Sequence, residues 1–215
     1  MPLTQVFNTK PLSYALLLVA VGGCATAPVE PSEPSLSGNT TPSYDCTTPT
    51  LSSIESLICQ DETLAALDRQ LASIYAQALV KAHDQQPPIL KAEQRGFIKG
   101  RDDCWKSTDK KQCVIDNYQT RMVELQARYR LVESTGPVFY RCDDTPAKEV
   151  VVTYFDTQPP SLIAELGDSS SLMTIQPSGS GARYQGRNEQ LWEHHGQASI
   201  TWGYNATPMH CTLVK

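Results

Sequence analysis

The chain has 215 residues, of which 40% are hydrophobic, and it carries 18 Lys and Arg against 23 Asp and Glu, a net charge of −5. That length accommodates one large domain or two small ones. The acidic balance argues against nucleic acid as a partner.

Met1 to Gly23 reads as an export signal. Lys10 supplies the positive charge, Leu12 to Val21 the apolar run, and Gly22 and Gly23 the small residues of a cleavage site directly before Cys24. The apolar run is shorter than the roughly 20 residues a bilayer span needs. The sequence VGGC resembles the lipobox of bacterial lipoproteins, which implies that Cys24 is the lipidated first residue of the mature chain. An ordinary cleaved signal with an incidental cysteine stays open. Loss of Lys10 with the signal leaves 17 basic and 23 acidic residues, a net charge of −6. Residues 24–43 are rich in Pro, Ser and Thr and read as a tether that cannot bury enough surface to order itself. Ala25 stands where an aspartate is associated with retention at the inner membrane. By resemblance to other lipoproteins this implies an outer-membrane lipoprotein facing the periplasm.

Without Cys24 six cysteines remain, an even number that outside the cell implies disulfides. Their clustering pairs Cys46 with Cys59, Cys104 with Cys113 and Cys142 with Cys211. No CxxC pair occurs, so neither a metal site nor a cofactor is expected.

Residues 44–135 read as helical. Cys46 and Cys59 flank a short Ser-initiated helix, SSIESLI. From the N-cap Asp61, the residues Leu64, Leu67, Leu71, Ile74, Ala78 and Leu79 form one apolar stripe. A break over residues 85–88 precedes a second long helix that begins at Pro88 and carries Leu90, Phe97, Ile98, Cys104 and Trp105 inward. A third begins near Asp109 and shows Val114, Tyr118, Met122, Leu125, Tyr129 and Val132 at spacings of three and four. The expectation is a disulfide-stapled antiparallel three-helix bundle.

From residue 136 to 215 the period changes to two. The segments VFYRC, KEVVVTYF, SLIAEL, SLMTI, ARYQ, EQLWEHH, ASITWGY and HCTLV read as short strands of an all-β module, a small closed barrel or sandwich. The chain is thus an α+β protein of two modules. Within the β module, SGSGARY (residues 178–184) reads as a presented loop in which Gly179 and Gly181 allow positive φ and hold out the hydroxyl of Ser180.

Tyr140 to Asp144 (YRCDD), the SGSGARY loop, Trp192, Ala198 before a strand and the closing Cys211 resemble the MliC family of membrane-bound inhibitors of C-type lysozymes. YDC at 44–46, ESLIC at 55–59, LAALDRQLASIYAQAL and EQRGFIKGRDDC at 93–104 are similar to the LprI-like helical domain, also linked to lysozyme inhibition. The first resemblance implies an eight-stranded antiparallel barrel that inserts a loop serine and a nearby lysine into the lysozyme cleft against its catalytic carboxylates. Ser180 matches the serine. Where the family reads W, any residue, K, G, this chain reads Trp192, Glu193, His194, His195, Gly196, so His194 stands in the lysine's place. Arg183 is a rival cation with permanent charge.

Tyr184, Trp192 and Trp202 are expected at the barrel core or its rim, and Asp143 and Asp144 in a turn. His194 and His195, on an alternating strand, are expected to point to opposite faces. The resemblance implies a non-enzymatic, lipid-anchored inhibitor whose partner is C-type lysozyme. A structural or assembly lipoprotein that binds peptidoglycan or another envelope protein stays open as the rival, as does the oligomeric state. An enzyme finds no support, since Ser180 lies in no GxSxG elbow.

Overall fold

The computed structural model describes residues 40–84 and 88–214. The expected export signal, Cys24, most of the expected tether and residues 85–87 of the expected break lie outside the described residues.

Four helices precede the sheet: α1 (Ser53–Gln60), α2 (Glu62–Lys81), α3 (Ile89–Asp102) and α4 (Lys110–Arg128), with a 3-10 turn at Asp103–Lys106. The expected three-helix bundle is therefore corrected to four. The Ser-initiated segment is a helix of its own, closed by a capping box in which Glu55 N–H donates to Ser52 Oγ (3.1 Å) and Ser52 N–H to Glu55 Oε2 (2.8 Å). Its Ile54 and Ile58 join Leu64, Leu71, Ala78, Leu90, Val114, Tyr118 and Leu125 in one core. Asp61 and Asp109 cap α2 and α4 as expected. Pro88 sits at the N-cap of α3, one position before the helix.

Two expected core positions are exposed instead. Ile98 is 41% and Trp105 56% exposed. Leu90, Phe97 and Arg101 define the inward face of α3, and Ile98 lies about 100° around the helix from Phe97. Beyond Asp102 the chain tightens into the 3-10 turn, which turns Cys104 inward and leaves Trp105 outside. Val132 lies beyond the end of α4. The end of the expected tether is folded: Pro42 is buried, and Ser43 N–H donates to Asp68 Oδ2 at 2.7 Å.

The strands β1 (Ser134–Cys142), β2 (Glu149–Phe155), β3 (Ser161–Leu166), β4 (Ser169–Gln176), β5 (Ala182–Gln185), β6 (Gln190–His194), β7 (Gln197–Thr201) and β8 (Met209–Leu213) form a closed antiparallel meander, β8 pairing back onto β1. Inside lie Tyr140, Val150, Val152, Leu162, Ala164, Met173, Leu191 and Ile200. Gly136 and Pro137 form an irregularity within β1, which starts at Ser134, two residues before the expected change of period. Gly136 has φ of 123°, and a Cβ there would stand 2.8 Å from the Val152 carbonyl oxygen.

Disulfides join Cys46 to Cys59, Cys104 to Cys113 and Cys142 to Cys211, the pairs expected from the sequence. The last joins the end of β1 to β8 across a separation of 69 residues, for which the chain-entropy model gives about 4 kcal/mol. The helices meet the barrel through α4 and β3. Val123 and Ala127 of α4 and Phe155 at the end of β2 are buried outside both module cores. In a closed meander of eight strands β3 and β7 are opposite, so the helices stand behind the face formed by β6, β7 and β8.

Candidate functional site

The β6–β7–β8 face carries a groove of about 540 Å³ that brings Ser180 and His194 together with Trp192, Ser199, His210 and Asp143. Strand alternation explains the lining. Leu191 points into the barrel, so Trp192 points out, and the register places Arg183, Trp192, Ser199 and His210 in one row across β5 to β8. Two residues along, His194, Gln197, Thr212 and Arg141 form the next row. Trp192 is thus 42% exposed and belongs to neither core nor rim, a correction to the expectation.

Trp192 also holds the serine loop. Its Nε1–H donates to the Ser180 carbonyl oxygen at 2.9 Å, and Ser178 Oγ donates to the same oxygen at 2.6 Å. Ser180 N–H in turn donates to Ser178 Oγ at 3.3 Å. The Ser180 hydroxyl is exposed and has no hydrogen-bond partner among the described residues, so both its donor and its acceptor capacity face outward.

The two loop glycines differ. Gly181 has φ of 66° and passes so close to β6 that a Cβ would collide with the Glu193 carbonyl oxygen and stand 3.2 Å from His194 Cβ. Gly179 has no positive φ and open space around it, so the expected need for glycine there is corrected. Arg183 is exposed on the outer side of β5, beside Trp192. Tyr184 is only 8% exposed and packs edge-on against Tyr154 inside the barrel, with ring centroids 5.8 Å apart. It takes the core position expected of it, beneath the loop.

His194 and His195 do not point to opposite faces. His195 (φ 52°) and Gly196 (φ 79°) form the two-residue turn between β6 and β7, and the left-handed backbone at His195 folds its ring onto that of His194, centroids 3.9 Å apart. Among the described residues no group of three or more His, Cys, Asp or Glu is placed to hold a metal ion. Trp202 is half-buried against the barrel core.

Asp143 and Asp144 have φ of 50° and 52° and form the turn after β1, as expected. Asp143 accepts from His210 N–H (3.1 Å) and from Lys148 Nζ (2.9 Å), and these bonds, Lys148 first, hold its carboxyl below the usual range. A lowered folded-state value means that this wall of the groove is fully secured above the ordinary carboxylate pKa and is released only as pH falls through the lowered value. His210 was not singled out in the sequence. Only its register opposite Ser199 reveals it.

Beneath the loop, Glu193 points inward, where its Oε2 accepts from Tyr140 and Tyr154 hydroxyls, each at 2.7 Å. Burial pushes the Tyr140 hydroxyl up to about 12, and burial followed by the bonds to Tyr140 and Glu193 pushes Tyr154 further. Both groups are bonded as neutral phenols, so their contribution is complete below the ordinary tyrosine value near 10; that of Tyr140 is lost as pH rises through about 12, and that of Tyr154 only at higher pH. Thermal unfolding followed against pH is therefore expected to show the barrel losing stability above pH 10. Tyr140→Phe should be less steep there, and an equal slope would remove Tyr140 from the effect.

Two family profiles match the chain in succession. "Lysozyme inhibitor LprI" covers residues 45–125 and "Membrane-bound lysozyme-inhibitor of c-type lysozyme", MliC, covers residues 140–209. Proteins named "Lipoprotein LprI" from Mycobacterium bovis and Mycobacterium tuberculosis are 32% identical over 158 residues, spanning 74% of this chain and 78% of theirs. Among solved structures, Pseudomonas aeruginosa MliC in complex with hen egg white lysozyme aligns at 20% identity and a TM-score of 0.31, over 39% of this chain and 86% of that one.

Proposed function

From the premise that this chain belongs to the LprI family of lipoproteins, and couples that family's lysozyme-inhibitor domain to an MliC domain, we propose that it blocks the active-site cleft of C-type lysozyme. The single observation that carries the reading is the Ser180 loop, clamped by Trp192 at the edge of a groove that also holds His194.

A C-type lysozyme cleaves with one glutamic acid and one aspartate flanking the scissile bond. The outward Ser180 hydroxyl donates to one carboxylate, and the His194 imidazole donates to the other. Gly181 and the Trp192 bond fix the loop before contact, so little ordering entropy opposes association. Arg183, permanently charged and in the next strand, supplies a second cation at the rim of the contact. The helical module stands on the opposite side of the barrel from this groove. Lipidation at Cys24 holds the inhibitor in the envelope, at the outer membrane facing the periplasm, where it protects peptidoglycan.

The chain from residue 25 onward is expected to slow lysis of a peptidoglycan substrate in proportion to dose and to comigrate with the enzyme. Pelleting with peptidoglycan while the enzyme's rate stays untouched would favour the structural-lipoprotein reading. Histidine is the side chain whose charge changes between pH 5 and 8. If the histidine facing the lysozyme carboxylate acts as a cation, inhibition is expected to strengthen from pH 8 toward pH 6. His195, His210, Asp143 and Asp144 border His194, so the comparison that isolates it is His194→Ala, which should flatten the profile. A profile identical to the parent's would take His194 out of the contact.

A further inference from the structure

We propose that the outer face of α3 and the following 3-10 turn docks on an anionic lipid bilayer, a surface contact additional to any lipid anchor and independent of the lysozyme reading. Lys91, Arg95 and Lys99 follow one another at intervals of four, so they share one face, turned away from the inward Leu90, Phe97 and Arg101. All three are exposed.

The acids of the same stretch are engaged elsewhere. Asp102 is bonded to Arg101 (2.8 Å), Glu93 stands 3.6 Å from Arg121, and Asp103 is bonded to Lys106 (2.7 Å). Lys99 acts on Asp103 only as the weaker of its two cations, and no carboxylate lies within ion-pair distance of Lys91 or Arg95 among the described residues. An acidic chain thus displays a local cationic face. With screening over about 8 Å at physiological salt, that face is what a nearby surface senses.

Charge alone would suit any polyanion, but the apolar neighbours favour a bilayer. Ile98 borders the cations, and Trp105 lies seven residues further on, at 41% and 56% exposure. Isoleucine and tryptophan beside basic residues form the combination that settles at a headgroup boundary. Ala92, Gly96 and Gly100 form the row adjoining the cations, and nothing lies within 4 Å of a Cβ built at either glycine. The chain enters the fold beside the C-terminal end of this helix: Ser43 N–H bonds Asp68, whose Oδ1 lies 3.8 Å from Arg101. The relatives' name, lipoprotein, places a bilayer near such a chain.

The test uses the mature chain with Cys24→Ala, so that no acyl group contributes. It is sedimented with vesicles of phosphatidylcholine alone and of equal parts phosphatidylcholine and phosphatidylglycerol. Binding to the anionic vesicles that is lost at high salt is expected. The triple variant Lys91→Glu, Arg95→Glu, Lys99→Glu should bind at least about tenfold more weakly, and Trp105→Ala more weakly than the parent, with lysozyme inhibition unchanged in both. Should the triple reversal alter the helical circular dichroism, the same three positions changed to glutamine decide by the same criterion. Equal binding to both vesicle types, no binding by the parent, parent-like binding by the charge variant, or retention by a soluble polyanion without vesicle binding would each overturn the proposal.

Discussion

Gly181→Ala is expected to weaken lysozyme inhibition about 100-fold, equivalent to close to 3 kcal/mol, while the barrel stays folded. The residue sits at φ of 66°, and its Cβ would run into the Glu193 carbonyl oxygen. That oxygen belongs to β6 and is part of the sheet backbone, so it is the loop that must yield. A displaced loop carries Ser180 away from Trp192 Nε1 and loses the bond that aims the hydroxyl. Gly179→Ala is the internal control, because a Cβ there meets nothing within 4 Å. It should inhibit nearly as well as the parent. Equal losses from both substitutions would mean that the loop's shape is not what lysozyme reads.

Arg101→Ala is expected to destabilise the helical module by about 3 kcal/mol, the scale for breaking a buried ionic network from one side. Arg101 is 4% exposed, and its guanidinium donates to the Tyr118 hydroxyl (3.1 Å) and, through Nε and Nη2, to Asp102 Oδ1 (3.0 and 2.8 Å). Tyr118 passes the connection on by donating to Asp68 Oδ1 at 2.8 Å, and Asp68 Oδ2 accepts from the backbone of Ser43. One side chain therefore ties α3 to α4, α2 and the entry segment. Its loss strands the Asp68 carboxylate, 6% exposed, without its nearest cation. Denaturant unfolding followed by helical circular dichroism measures the loss, and a change below about 1 kcal/mol would show that solvent or neighbours take over its role. Pairing Arg101→Met with Asp68→Leu should recover much of the stability, because removing both charges removes the stranded one. The groove, on the other side of the barrel, should inhibit normally wherever the variant is folded.

The network also shows where sequence reading stops. Apolar stripes at spacings of three and four placed α2 and α4, their Asp caps and most of their core, since those signals are local. No local pattern marks Arg101 and Asp68 as buried, because their burial depends on partners 17 to 50 residues away in the chain. Ile98 and Trp105 are exposed for different reasons: Ile98 lies about 100° around α3 from the inward Phe97, and Trp105 falls in the 3-10 turn, whose tighter winding shifts the phase of the residues in it.

In the barrel, alternation and turn residues marked the strand segments, the clustering of the cysteines gave their pairs, and the closure into eight strands came with the resemblance. The Ser180 loop was legible as a turn, whereas its clamp was not. Trp192 is large and aromatic, the type usually taken for core, but the inward Leu191 and Tyr184 fix it on the outside by register. His195 escaped alternation because a two-residue turn with positive φ interrupts it. His210 and Asp143 reach the groove only through pairing across β1, β7 and β8, which no local pattern records.

The most direct test of cleft blockade is inhibition measured against a rising concentration of a chitin oligosaccharide that fills the lysozyme cleft. Competition is expected: the apparent inhibition constant should rise linearly with oligosaccharide concentration, and Ser180→Ala should raise it at every concentration. An inhibition constant indifferent to the oligosaccharide, and unchanged by Ser180→Ala, would contradict insertion of the loop into the cleft.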